Sequence, residues 1–263
     1  MARSSFYYYA RQFKKTDKYE SIKSQIQSIY YKHKGRLGYR RITLVIRREG
    51  LLINHKTVLR LMREMNLKSI IRVKKYKSYK GDQGKIALNI LDREFIAPAP
   101  NQKWATDVTE FNVQGEKLYL SPLIDLYNQE IISYEISERP TFKSIVNMLD
   151  KAWSKVKKTK GLLIHSDQGW QYQMKQYQYI LAQKGIVQSM SQKGNCLDNA
   201  VIENFFGTLK SELYYLKKYT SRNQLKKEIQ EYIQYYNKDR IKSNLKGMSP
   251  IEYRAHYNNK SNS

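Results

Sequence analysis

Apolar residues recur at spacings of three and four over residues 17–33, at Tyr19, Ile22, Ile26 and Ile29 or Tyr30, which predicts a helix with one buried face. Ile42, Val45 and Ile46 repeat the pattern after Gly38, and Gly50 breaks it. Asn54 is the expected N-cap of a third helix. Its buried stripe is Val58, Leu59, Met62 and Met65, and its flanks carry Lys56, Arg60 and Arg63. Helix, short turn and basic helix is the order of a helix-turn-helix. A three-helix bundle with basic faces also suits protein docking, so the pattern alone leaves both readings open.

Arg72, Lys74, Lys75, Lys77 and Lys80 then follow with little apolar period, and Gly81 and Gly84 punctuate the run, as in a linker. From about residue 100 the grammar changes. Residues 104–111 (WATDVTEF), 117–126 (KLYLSPLIDL) and 130–136 (EIISYEI) are β-rich runs separated by Gly115 and by Tyr127-Asn128, which predicts an antiparallel meander of three strands. A helix over 141–157, a short strand over 162–165, a helix over 176–184 and a fifth strand over 186–190 come next. Helices over 198–215 and 221–236 close the pattern. Three strands followed by alternating helix and strand describe a mixed α/β sheet with helices on both faces.

Composition narrows the partner. The chain of 263 residues carries 48 Lys+Arg against 23 Asp+Glu, a net charge of +25, together with 23 tyrosines. Lysine and arginine displace the counterions of a polyanion and aromatic rings stack on bases, so nucleic acid is the expected ligand. The charge is uneven: 22 basic against 4 acidic residues over 1–80, 11 against 11 over 81–160, and 15 against 8 over 161–263. A basic module joined to a balanced one is implied. The single cysteine, Cys196, excludes a disulfide framework and a cysteine-based zinc site. No signal peptide and no run approaching the roughly 20 apolar residues of a membrane span is visible, so a cytoplasmic protein without a membrane partner is expected.

In so basic a chain the acids near strand ends draw the eye. Asp107 lies within the first predicted strand. Asp167 lies two positions past the run LLIH, at the carboxyl end where α/β sheets carry their sites. Glu203 lies in the helical run DNAVIENFFGTLKSEL, where Asn199, Glu203, Phe206 and Lys210 share one face and Val201, Phe205, Thr208 and Glu212 the other. Three carboxylates on two strands and a helix suit two hard divalent cations, the device of phosphoryl transfer on DNA. His165 reads as a core residue, and Trp104 and Trp170 as packing residues.

WATDVTEF, LIHSDQGWQY and SQKGNCLDNAVIENFFGTLKSELYY resemble the three catalytic blocks of DDE transposases of the insertion sequence three family, whose core is similar to retroviral integrase. Asp167 follows Asp107 by 60 positions, and 35 residues separate Asp167 from Glu203, the hallmark spacing of that family. GYRRI with NHKTVLRLM resembles its helix-turn-helix segment, and YNKDRIKSNLKGMSPIEY its C-terminal run. The resemblance implies an RNase H-like, mixed five-stranded sheet with helices, preceded by a small all-α helix-turn-helix module. It divides the chain into a DNA-binding module over 1–70, a linker over 71–97, a catalytic core over 98–218 and a helical extension over 219–263.

It also implies Asp107, Asp167 and Glu203 as catalytic ligands of two Mg²⁺ or Mn²⁺ ions. Lys210, Asn199 and Lys193 in the core, and Arg40, Arg41, Lys56 and Arg60 in the basic module, become the expected DNA contacts, while Asp198 is expected as an N-cap. The partners are then terminal and target DNA and further copies of the chain. Family members commonly make an upstream product with a helix-turn-helix and leucine zipper, joined by frameshifting. This chain opens with MARSSFYYYARQFKK and shows no heptad run, so the downstream-frame product is expected, acting with or fused to that partner. An RNase H-like nuclease without strand transfer and a catalytically inactive DNA-binding protein remain the alternatives.

Overall fold

A computed structural model of the chain describes residues 3, 17–70, 87–92, 94–156, 158–191 and 199–261. The chain divides into two compact units, residues 1–70 and 71–263. Most of the predicted linker, with Arg72, Lys74, Lys75, Lys77, Lys80, Gly81 and Gly84, lies outside the described residues, as do Lys193 and Asp198.

The first unit holds helices α1 (Glu20–Lys32), α2 (Tyr39–Arg48) and α3 (His55–Glu64). Ile26, Ile29, Ile42, Ile46, Val58, Leu61 and Met62 are buried between them, each contributing roughly 1.5–3 kcal/mol of apolar transfer. Gly50 ends α2 at φ +95°, a conformation glycine adopts freely. Asn54 caps α3, its Oδ1 accepting from the Lys56 N–H at 2.8 Å. Arg47 clamps the α2–α3 turn by donating to the Ile53 carbonyl from Nε at 3.0 Å and Nη2 at 2.8 Å.

In the second unit the strands are β1 (Lys103–Thr106), β2 (Thr109–Val113), β3 (Glu116–Asp125), β4 (Ile131–Ser137), β5 (Leu163–Ser166) and β6 (Val187–Met190). The single strand predicted over 104–111 is thus two, parted at Asp107 and Val108. Both halves pair antiparallel with β3 in one continuous register, Thr106 opposite Leu123 and Thr109 opposite Leu120. Counted as one interrupted strand, they complete a five-position mixed sheet: β4 beside β3, β3 beside β1 and β2, β1 parallel to β5, and β5 parallel to β6.

Alternation sends the side chains to two cores. Ala105, Ile124 and Leu163 point to one face, where α7 (Ala200–Glu212) and α8 (Arg222–Lys238) bring Ile202, Phe205, Leu209, Ile229 and Tyr236. Trp104, Leu123 and Ile164 point to the other, against Ile145, Met148 and Leu149 of α4 (Phe142–Lys155) and Tyr177 and Leu181 of α6 (Lys175–Gln183). A single turn, α5 (Trp170–Gln173), leads from β5 into α6. Thr141 and Ser221 cap α4 and α8 through their side chains. The apolar period missed a last helix, α9 (Pro250–Ser261), whose Arg254 binds Asp125 at 2.7 Å and Glu130 at 2.7 Å. Charge anchors that helix together with Tyr253 and Tyr257, whose rings pack on Tyr127 at 5.3 and 5.2 Å.

Candidate active site

β1 and β5 lie side by side and parallel, Lys103 opposite Leu163 and Ala105 opposite His165. Carried two residues on, that register sets Asp107 beside Asp167 at the carboxyl ends of strands spaced about 4.8 Å apart. Each aspartate folds back on a nearby amide. Asp107 Oδ1 accepts from the Val108 N–H at 2.6 Å, and Asp167 Oδ1 from the Gly169 N–H at 2.9 Å.

Both are half-buried, and neither has a salt bridge among the described residues. Burial pushes the Asp107 carboxyl well above the usual carboxylate range, and the charges of Asp167 and Glu203 push it further. The Val108 amide and Lys210 oppose that rise. Burial likewise raises Asp167, against the Gly169 amide. Behind the pair, Tyr172 is fully buried with its hydroxyl 3.4 Å from Thr106 Oγ1.

Glu203 stands on the exposed side of α7, near enough to raise Asp107 electrostatically. Among the described residues no three His, Cys, Asp or Glu side chains gather tightly enough to hold a metal ion. The structure sets Asp107 and Asp167 side by side, with Glu203 close enough to act on Asp107 through its charge. The donor chemistry still suits a hard divalent cation: oxygen-only ligands, half-desolvated, repelling one another. Lys210, one face with Glu203, packs over the Phe111 ring at 5.2 Å. Burial lowers its proton affinity, while Glu110 and Asp107 raise it.

Family profiles described as an integrase core domain match residues 97–196 and 203–257, and one described as an HTH-like domain matches residues 18–75. A putative transposase, InsK, for insertion sequence element IS150 of Escherichia coli K12 is 56% identical over 96% of this chain and 89% of its own length. The transposase InsF for insertion sequence IS3A of the same organism is 31% identical over 96% of this chain and 90% of its own. The chain belongs to the IS3 family of DDE transposases. The simian T-cell lymphotropic virus intasome, solved in complex with PP2A regulatory subunit B56 gamma, is similar at 16% identity, covering 83% of this chain and 70% of that one, with a TM-score of 0.49.

Other sequence expectations for the transposase meet mixed outcomes. His165 is a fully buried core residue, its Nδ1 2.9 Å from Ser189 Oγ. That hydroxyl accepts from the Ile90 and Leu91 amides at 3.0 Å each, so its own hydrogen goes to Nδ1. Trp104 is fully buried as expected, but Trp170, on the single turn α5, is 53% exposed. Phe206, placed with Glu203 on one helical face, is buried beside Phe205 because the apolar arc of α7 is wider than one face. Asn199 is also buried, and among the described residues neither amide atom has a hydrogen-bond partner.

In the basic unit Arg40 and Lys56 are exposed. Arg41 instead turns inward and donates to the Arg36 carbonyl at 2.7 Å. Arg60 pairs with Glu64 and lies over the Tyr19 ring at 5.0 Å. Sequence reading overlooked Gly169, although a glycine two residues past a strand-end aspartate is a signal for close approach. It also overlooked the buried pair of Glu212 with Arg240, 2.7 Å apart and joined by the Tyr232 hydroxyl at 2.9 Å. No local pattern announces partners 28 positions apart.

Proposed function

We propose that this transposase cuts DNA at the ends of its element and joins the freed 3′-hydroxyl to a second phosphodiester, with Asp107, Asp167 and Glu203 as its catalytic carboxylates. The observation that carries the reading is the β1–β5 register, which sets the two aspartates side by side. Water attacks phosphorus, the P–O3′ bond breaks, and the leaving oxygen takes up a proton. That hydroxyl then attacks a target phosphodiester in line and displaces another 3′-oxygen, so phosphoester bonds are conserved in number at the joining step. No covalent protein intermediate is required.

Two Mg²⁺ or Mn²⁺ ions held by the three carboxylates would activate the attacking oxygen and stabilise the leaving one. Glu203, whose charge already reaches Asp107, would complete that set of ligands. The amides of Val108 and Gly169 aim one oxygen of each aspartate, leaving the other oxygen to the site. Lys210 meets a phosphate beside the carboxylates, and Asn199 and Lys193 line the same DNA. Arg40, Arg41, Lys56 and Arg60 serve the helix-turn-helix. The active complex pairs two element ends in a homo-oligomer, assisted by an upstream-frame helix-turn-helix partner, in the cytoplasm.

The deciding experiment incubates the purified chain, alone and fused to the upstream-frame product, with 3′-labelled terminal DNA and target DNA in Mg²⁺. Joined product that disappears in Asp107→Asn is the expected result. Cleavage without joining would assign a nuclease, and DNA binding with no Mg²⁺-dependent product a passive binder.

A further inference from the structure

The strand that carries Asp107 is interrupted at one place, and the neighbouring strand supplies the cause. Because β1 and β2 hold one register against β3, Asp107 stands opposite Pro122 and Val108 opposite Ser121. In an antiparallel ladder only every second pair exchanges hydrogen bonds. The Leu126 N–H donates to the Lys103 carbonyl at 2.9 Å, so residues 103, 105, 107 and 109 turn their backbone groups toward β3. On the other side the Leu163 N–H donates to the Gln102 carbonyl at 2.9 Å, so residues 102, 104, 106 and 108 face β5. The position opposite Asp107 therefore requires an N–H, and proline has none.

Around that gap the local bonding is rearranged. Regular strand stops at Thr106 and resumes at Thr109. The Pro122 carbonyl accepts from the Thr106 hydroxyl at 3.0 Å, which confirms that its backbone faces this side. The Val108 N–H, turned toward the β5 side where Asp167 stands, is taken by the Asp107 carboxylate at 2.6 Å. Proline in a sheet interior is otherwise disfavoured, and here it is buried in the middle of the longest strand.

We infer that Pro122 is a positioning residue: by withholding one ladder bond from Asp107 it releases the Asp107–Val108 peptide from the sheet and lets the carboxylate swing toward Asp167. This rests on the reading of Asp107 as a catalytic metal ligand. Pro122→Ala and Pro122→Val each restore the missing donor, and valine also keeps volume and strand propensity. With the donor restored the ladder closes, and the carboxylate is drawn off the Val108 amide.

The test uses the full chain. Three results are expected in both variants: a slowly exchanging amide at residue 122, a melting midpoint in EDTA equal to or above wild type, and about a tenfold higher Mg²⁺ concentration for the Mg²⁺-induced rise in that midpoint. Half-maximal cleavage shifts to higher Mg²⁺ by the same factor, with KM for DNA unchanged. A merely structural proline would lower the EDTA midpoint and leave the Mg²⁺ requirement alone, which overturns the proposal, as does failure of both variants to fold. Asp107→Asn separates the two readings. If it stays active, the catalytic assignment is wrong; if it is inactive while both proline variants match wild type, only the role of Pro122 is wrong.

Discussion

Gly169 donates its N–H to Asp167 Oδ1 at 2.9 Å, and a Cβ on Gly169 would stand 2.9 Å from that same oxygen. Real Cβ atoms do not come so near, so a side chain here displaces both the Gln171 amide, 2.6 Å from the same Cβ, and the Asp167 carboxylate. The backbone is otherwise undemanding, with φ −57° and ψ 141° at Gly169. Gly169→Ala is therefore expected to change stability little, because the unfolded-chain gain of roughly 0.4–1 kcal/mol is offset by moving the Gln171 and Asp167 side chains. Strand joining falls by about 10²-fold, the usual effect of a misplaced reacting group. Paired thermal melts and single-turnover joining assays check it; a variant that is fully active refutes the crowding.

The aspartate pair is held at an energetic disadvantage. A carboxyl whose proton affinity rises on folding loses stability as pH climbs from its unfolded value through its folded one, because the folded state holds the extra proton. At neutral pH and without metal, Asp107→Asn removes both the burial penalty and the repulsion with Asp167. Its melting midpoint in EDTA should exceed wild type by a few degrees, at about 2–4 °C per kcal/mol for a domain of this size. Mg²⁺ should raise the wild-type midpoint by linkage and leave Asp107→Asn nearly unmoved. An Asp107→Asn midpoint below wild type at pH 7 would contradict this account.

Two glutamates of α7 separate chemistry from folding. Glu203 is exposed, whereas Glu212 is 5% exposed and binds Arg240 through two hydrogen bonds of 2.7 and 2.9 Å. Removing one partner of a buried pair leaves the other charge uncompensated, at about 3–5 kcal/mol. Arg240→Ala should therefore lower the urea midpoint strongly while Glu203→Gln leaves it in place and abolishes joining. Equal midpoints for the two variants would mean that the buried pair is not what holds α8 to α7.

These contrasts mark what the sequence made legible. Apolar spacing located α1 to α3, each of which buries one regular face, and short apolar runs bounded by turn residues located the strands β3 to β6, of which β5 is buried throughout. Glu203 and Glu212 belong to one predicted helix, yet their difference depends on Tyr232 of α8 and on Arg240, two residues past its end. The break at Asp107 was hidden for a similar reason: its cause, Pro122, lies on the neighbouring strand. Residues 104–111 read as one strand because their apolar alternation continues through the gap.

The two tryptophans beside the site illustrate the same limit and yield a direct comparison. Both were expected to pack, but burial depends on whether a second layer covers the ring. Trp104 is fully buried under α4 and α6, and Trp104→Ala should cost about 3–5 kcal/mol of unfolding free energy. Trp170 is 53% exposed, and Trp170→Ala should change stability by no more than about 0.5 kcal/mol. Guanidinium titrations of the two variants decide this. A large loss in Trp170→Ala would show that the exposed indole packs in solution.

In the basic unit, charge count and phosphate contact need not coincide. Arg40 and Lys56 are exposed, while the Arg41 guanidinium is held on the Arg36 carbonyl at 2.7 Å. Each cation that neutralises a phosphate releases counterions, so its loss flattens the dependence of log K on log salt by about 0.9. Arg40→Ala and Lys56→Ala should each flatten that slope by about one and leave the melting midpoint of the unit unchanged. Arg41→Ala should flatten it less and lower the midpoint, since a backbone carbonyl loses its donor. Fluorescence anisotropy on terminal DNA between 50 and 200 mM salt, roughly the range in which such contacts dominate affinity, separates the two classes. Should Arg41→Ala flatten the slope as fully as Arg40→Ala without lowering the midpoint, Arg41 turns to the phosphates when DNA binds, and its inward bond belongs to the free protein alone.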